Sequence, residues 1–287
     1  MSAADPETEK TRPLISFEAW CERHSVDPDE VADVARYLRI DVPTLKRLPI
    51  DDPAWLTKLK QTADDLRARR TAWSGHWAQQ NIGPDPFRRL SGPEILKVLP
   101  PQLRQLTLRY RPTLGALIVG PTGTCKSMTA CFLMRRALFE AMQGSERWHS
   151  EVDAKHGGGE QLIDDEDRRA FASDRYGVLW TTASGLARAR RGHRLGDGEP
   201  KLVAHAMRAK LLAIDDIGWE PAHDTVVTDV MAERYDRGLP TVATSGERPA
   251  ALSQRYGAAL IRRIIETEGR KGLLVDMFDS APVALAA

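Results

Sequence analysis

The stretch Leu114-Gly115-Ala116-Leu117-Ile118-Val119-Gly120-Pro121-Thr122-Gly123-Thr124-Cys125-Lys126-Ser127 decides the fold. An apolar run ends in a glycine-rich turn, and a pattern of helical period begins at Lys126. A glycine-rich turn between a buried strand and a helix start aims backbone N–H groups and the positive end of a helix dipole at one point, which is a phosphate-binding arrangement. Gly120, Pro121, Thr122, Gly123, Thr124, Cys125, Lys126 and Ser127 are therefore candidate ligands of a nucleotide triphosphate. Lys126 is the expected contact to the β- and γ-phosphates, and the Ser127 hydroxyl is an expected ligand of Mg²⁺. One position departs from the pattern: Cys125 stands where glycine is expected, bringing a side chain and backbone strain to the point where the loop closes on the phosphates. A thiol at a helix N-terminus has a lowered pKa, which offers a redox reading of Cys125 beside that of a tolerated small residue.

Downstream, short apolar runs alternate with helical patterns, the signature of a parallel sheet covered by helices. Strands are expected over Leu114–Val119, Val178–Thr182, Leu211–Ile217, Pro240–Thr244 and Gly272–Met277, with helices over Lys126–Met142, Ser184–Arg191, Pro200–Ala209, Asp224–Arg237 and Ala250–Glu268. The expected fold class is α/β, a P-loop core with a five-stranded parallel sheet occupying residues 113–287. Residues 144–176 interrupt it with Gly157-Gly158-Gly159 and the acidic run Asp164-Asp165-Glu166-Asp167, and read as a surface insertion.

The third strand, Leu211-Leu212-Ala213-Ile214-Asp215-Asp216, ends in two carboxylates roughly 90 residues after the loop. A nucleotide site needs such a partner. Asp215 is expected to complete the Mg²⁺ site with Ser127, and Asp216 to orient the attacking water as a catalytic group.

Composition bounds the rest. The chain has 287 residues, 42% hydrophobic and 28% charged, enough for a large core. Its 41 basic residues against 40 acidic ones exclude a charge-driven partner on net charge alone, so a nucleic-acid site has to be a local concentration. Arg188, Arg190, Arg191 and Arg194 provide one, four arginines in seven residues, open to a single-stranded DNA reading or to that of a solvated helix face. A second, Arg67, Arg69 and Arg70 with Trp73 and Trp77, mixes charge with aromatics. The three cysteines have no metal or disulfide spacing, and no apolar run reaches the ~18 residues of a membrane span, so a cytoplasmic setting is expected.

Residues 1–70 read as a helical region for a partner or DNA, and 71–112, rich in Pro and Gly, as a connector. Within the former, Asp29–Leu38 and Pro43–Leu48 have a helix-turn-helix pattern that is equally a small helical adaptor with its own core.

Taken in order, the loop, Leu212-Ala213-Ile214-Asp215-Asp216-Ile217-Gly218 with Glu220, Glu233 to Thr241 leading to Ala243-Thr244-Ser245, and Tyr256 to Ile264 resemble the DnaC/IstB-like AAA+ ATPases, which include helicase loaders and transposition helper ATPases. The resemblance spans roughly residues 113–280. It implies an AAA+ sheet, ATP and Mg²⁺ as cofactors, a homo-oligomer with ATP at the subunit edge, and an arginine finger supplied in trans by Arg263, with Arg262 as the fallback. The partners it implies are single-stranded DNA, passing the arginines after Gly185, and a replicative helicase or a transposase. With about ten residues after the last strand, no C-terminal helical lid is expected. Where the family has Ser/Thr-Asn after the fourth strand, this chain has Thr244-Ser245-Gly246, so Thr244 or Ser245 is left to contact the γ-phosphate. With Cys125, that predicts ATP binding with slow hydrolysis in DNA replication. The alternatives are transposition, a non-hydrolysing nucleotide-dependent DNA scaffold, and a small-molecule kinase, the last with no account of Arg263.

Overall fold

The computed structural model describes residues 53–145, 175–194, 196–267 and 269–279, with isolated positions 19, 22 and 28 besides. The two short helices expected over 29–48 and nearly all of the 144–176 insertion lie outside the described residues. The chain divides into two compact units, the first running to Ala72 and the second beginning at Trp73.

In the first unit the described chain belongs to helix α1 (Pro53–Asn81), whose last turns fall in the second unit. The stretch expected as a connector is helical: α2 (Asp85–Arg88), α3 (Gly92–Val98) and α4 (Pro101–Arg109) follow one another closely. Its prolines caused the difference, because Pro86, Pro93 and Pro101 all occupy the first two helical positions, where a missing N–H is no loss. Ser91 and Glu94 add a reciprocal capping box to α3. Helices α3 and α4 pack on α5 (Lys126–Gln143). Arg135 of α5 fastens the turn before α2 by donating to the Ile82 and Leu90 carbonyls at 2.8–3.2 Å.

Five parallel strands form the main sheet: β1 (Ala116–Val119), β2 (Val178–Thr182), β3 (Leu211–Asp215), β4 (Thr241–Ser245) and β7 (Leu273–Asp276), in the order β2-β3-β4-β1-β7. All five expected strands are present, within two residues at every end. Strands β1, β3 and β4 are buried throughout, as a parallel sheet covered on both faces requires, while the edge strand β7 alternates. Helix α5 covers one face. On the other, Leu117, Val119, Leu179, Leu212, Ile214 and Ala243 meet α6 (Ala183–Arg191), α7 (Lys201–Arg208), α8 (Val226–Asp236), α9 (Pro249–Tyr256) and α10 (Ala258–Ile265).

The helix expected over 250–268 is two helices and a strand. Gly257, at φ 84°, breaks it, and the run Ile264-Ile265-Glu266-Thr267, with three β-branched residues, leaves the helix for β5 (Glu266–Thr267), which pairs antiparallel with β6 (Arg270–Lys271).

Arg234 on α8 is the largest side chain that is fully buried. Its guanidinium donates to the carbonyls of Ala206 and Ala209 at 2.7 Å, to that of Pro240 at 2.5 Å, and to Thr241 Oγ1 at 2.8 Å. One side chain thereby ties α7, α8 and the entry to β4. Replacing Arg234 with Met strands these acceptors, and we expect a loss of about 3 kcal/mol or more, read as a shift of the urea midpoint.

Candidate nucleotide site

The loop between β1 and α5 is built by its glycines and its backbone. A Cβ on Gly120 would stand 2.6 Å from Met277 Cβ, and Gly123 has φ 84°. The Pro121 carbonyl accepts from Thr124 Oγ1 at 2.8 Å and from Lys126 Nζ at 2.8 Å, so both side chains curl onto the loop they belong to. Lys126 is only 7% exposed; burial lowers its pKa, while the Asp216 and Asp215 carboxylates pull it back up.

Cys125 caps α5 in the left-handed conformation, φ 62° and ψ 20°. Among the described residues only Cys125 and Asp216, at φ 56°, combine a side chain with positive φ, and both lie at this site. The strain expected at Cys125 is thus present, with a cost on the order of 1–2 kcal/mol. Its thiol runs against the redox reading: burial pushes the pKa up, and the neighbouring Lys126 charge does not offset it.

At the end of β3, Asp215 is buried at 6% exposure, and its carboxylate Oδ1 accepts from the Thr244 hydroxyl at 2.5 Å. Burial raises its pKa. The bond from Thr244 opposes that rise, Asp216 adds to it, and Ser127 and Lys126 oppose it. Ser127 lies within hydrogen-bonding reach of Asp215. Two carboxylates and a hydroxyl at one point suit Mg²⁺ that keeps phosphate oxygens and waters as its other ligands.

The order of the strands accounts for this meeting. Strand β4 lies between β1 and β3, so its end separates the loop from the carboxylates and touches both: Gly120 N–H donates to Ser245 O at 3.1 Å, and Asp216 N–H to Thr244 Oγ1 at 3.0 Å. A glycine-rich loop leaving β1, an Asp-Asp pair leaving β3 and an inserted β4 define the architecture. This is a P-loop-type α/β core built on a five-stranded parallel sheet.

No family model and no curated protein matches the chain. Among solved structures, the chain is similar to the DnaC helicase loader at 17% identity, covering 60% of this chain and 85% of that one with a TM-score of 0.35. It is also similar to AMPPCP-bound DnaA from Aquifex aeolicus at 19% identity, covering 64% and 44%, with a TM-score of 0.34. Similarity at that level leaves the fold resting on the sheet order and the loop.

Around this site, several residues sit differently from expectation. Thr244, expected to reach the γ-phosphate, spends its hydroxyl on Asp215 and on the Asp216 N–H. Ser245 likewise donates to Ile217 O at 2.7 Å and accepts from Glu247 N–H at 3.0 Å. Both hydroxyls brace the β3 loop. Glu220, whose side chain is fully buried, accepts from Gly218 N–H at 3.0 Å and from the Tyr256 hydroxyl, with the Arg255 guanidinium 3.6 Å from its carboxylate. The sequence marked Glu220 only as part of a motif; its partners on α9 come from the fold.

Arg263, on α10, is half-buried 5.9 Å over the Tyr235 ring, with a buried Nε that has no protein partner. Arg262 is exposed, 3.9 Å from Glu266. Arg188 and Arg191 on α6, and Arg194 just beyond its end, are exposed. Arg190 departs from the expectation of a DNA contact. It pairs with Glu199 at 2.7 Å and Asp229 at 2.6 Å, joining α6 to α8, because the α6–α8 packing brings a carboxylate within reach.

The raised pKa of Asp215 fixes a sign. Its protonated form contributes stability that is complete below the ordinary carboxylate value and is lost as pH rises through the raised one. Asp215→Asn, which still accepts from Thr244, is expected to raise the melting temperature of the nucleotide-free protein at pH 7 and to leave it unchanged near pH 3. The same variant loses Mg²⁺-dependent nucleotide binding. Cys125→Gly relieves the left-handed strain while loosening the unfolded chain, so stability is expected to change by less than about 1 kcal/mol while ATP affinity rises. Cys125→Val, β-branched at positive φ, is expected to lower both, read by thermal melts and nucleotide titration.

Proposed function

We propose that this protein is an AAA+ ATP-binding switch of the DnaC/IstB-like kind, which assembles on single-stranded DNA with a helicase-type partner and hydrolyses ATP slowly. The observation that carries this reading is the meeting of Lys126, Ser127, Asp215 and Asp216 at one end of the sheet, braced by Thr244. Lys126 already holds an oxygen acceptor, the Pro121 carbonyl, in the loop. A phosphate oxygen entering the loop offers the ammonium an anionic acceptor in its place, which adds the attraction of opposite charges to the hydrogen bond. Asp215 and Ser127 are the residues to hold Mg²⁺, which would neutralise phosphate charge. Asp216 is the carboxylate left to orient water.

Slow turnover follows from two features of the chain. Cys125 strains the loop, and the hydroxyls of Thr244 and Ser245 are engaged within the protein. The same two features favour a second reading, a nucleotide-dependent DNA scaffold without hydrolysis. On the hydrolysing reading Arg263, whose Nε has no partner among the described residues, is the residue offered to a neighbouring protomer, where a guanidinium contributes ~10³-fold or more to the rate of phosphoryl transfer. The DNA surface is Arg188, Arg191 and Arg194, without Arg190.

ATP turnover measured at several protein concentrations tests the enzyme reading. Specific activity is expected to rise with concentration in the wild type and to stay at background for Lys126→Ala and Arg263→Ala. A wild type that binds ATP yet turns over no faster than these variants leaves the scaffold reading. The triple replacement of Arg188, Arg191 and Arg194 by Ala is expected to weaken single-strand binding and flatten its log–log salt slope by about 2. Unchanged slopes remove that surface.

A further inference from the structure

Trp219 is the second most exposed of the large apolar side chains among the described residues, at 70%, although the loop that carries it is closely held. Ile217 N–H donates to Thr244 O, Ser245 Oγ donates to Ile217 O, Gly218 N–H donates to Glu220, and Trp219 N–H donates to Asp216 O at 3.3 Å. Gly218, at φ 103°, has the Glu247 carboxylate 3.0 Å from where its Cβ would stand, which closes the loop on the other side. An exposed indole on a pinned backbone is presented to solvent by the fold itself.

The place to which it is presented is specific. A Cβ built on Gly246 would stand 3.4 Å from Trp219 Nε1, with nothing else within 4 Å. Gly246 directly follows β4, whose last two residues touch the phosphate loop through Gly120 and the carboxylates through Asp216. The indole N–H therefore lies beside the residue that directly follows β4, and no hydrogen bond to it is formed by the described residues. An indole N–H only donates, so it suits an anionic oxygen and not a cation. Thr244 and Ser245 have their hydroxyls engaged, and Gly246 has no side chain. Among the described residues, Trp219 is thus the side-chain donor left beside the end of β4.

We propose that the Trp219 indole N–H contacts the terminal phosphate of bound ATP and makes the site distinguish ATP from ADP. The assignment rests on the nucleotide reading above and adds a specificity-determining residue to it. The absence of a side chain at 246 is part of the same device, because any larger residue there meets the indole.

The test uses the full chain and titrates Mg·ATP and Mg·ADP separately by calorimetry. Trp219→Phe keeps the ring and removes the donor. It is expected to weaken ATP about tenfold, as for one hydrogen bond to a charged group, and to leave ADP unchanged. Gly246→Asn in the wild-type background is expected to weaken ATP by displacing the indole, and Trp219→Ala with Gly246→Asn to recover the preference for ATP. A Trp219→Phe protein whose ATP and ADP affinities are both unchanged, or both lowered equally, overturns the assignment while leaving the nucleotide site intact. A wild type that binds neither nucleotide overturns the nucleotide reading and this assignment together. A change confined to the protein's oligomeric state makes the indole a contact between protomers, and the proposal fails.

Discussion

An almost fully buried carboxylate governs the architecture around it. Asp215 leaves β3 at 6% exposure, where burial favours its neutral form. What opposes that tendency is close at hand: the Thr244 hydroxyl at 2.5 Å, Ser127, and the Lys126 ammonium. They come from two other segments of the chain, Thr244 from β4 and Lys126 with Ser127 from the start of α5. The strand order β3-β4-β1 is what brings them within reach, so the sheet topology and the electrostatics of the site are one constraint.

The same constraint explains why strain collects there. Cys125 and Asp216 both adopt left-handed backbone without being glycine, and the surrounding bonds hold them so: Thr129 N–H and Oγ1 on the Cys125 carbonyl, and Thr244 Oγ1 on the Asp216 N–H. Strain of this kind persists only where neighbours over-determine it, and it clusters at functional sites. From Asp216 the loop runs on to Glu220, whose buried carboxylate holds Tyr256 at the end of α9. Gly257 follows, and then α10 with Arg262 and Arg263. A continuous set of polar contacts thus joins the carboxylates to the helix that carries the arginines.

Much of this was legible in the chain. Five strands were marked by apolar runs because a parallel sheet buried on both faces tolerates nothing else, and β1, β3 and β4 are buried at every residue. The phosphate loop was legible because glycines, a lysine and a serine at fixed spacing are a local code. Less legible was the segment 71–112. Its prolines signal a break in the chain, and only the residues around them decide whether the break is a loop or the first turn of a helix. Likewise Ala250–Glu268 has apolar spacing compatible with one helix, and the pairing of β5 with β6 ended it.

Side-chain partners across the fold could not be read from spacing. Arg190 looked like one of four equivalent arginines until packing placed Glu199 and Asp229 around it. Thr244 looked like a free hydroxyl until Asp215 took it. Trp219 carried no pattern at all; it acquires meaning from Gly246, 27 positions later, through the contact of two loops. The amino-acid order by itself determined the class of fold, the strands and the glycine-rich turn between β1 and α5, because periodicity and local motifs act within a few residues of chain. Only the tertiary structure decided which polar groups are engaged and which remain available, because that depends on neighbours supplied by other elements and on how much water they exclude.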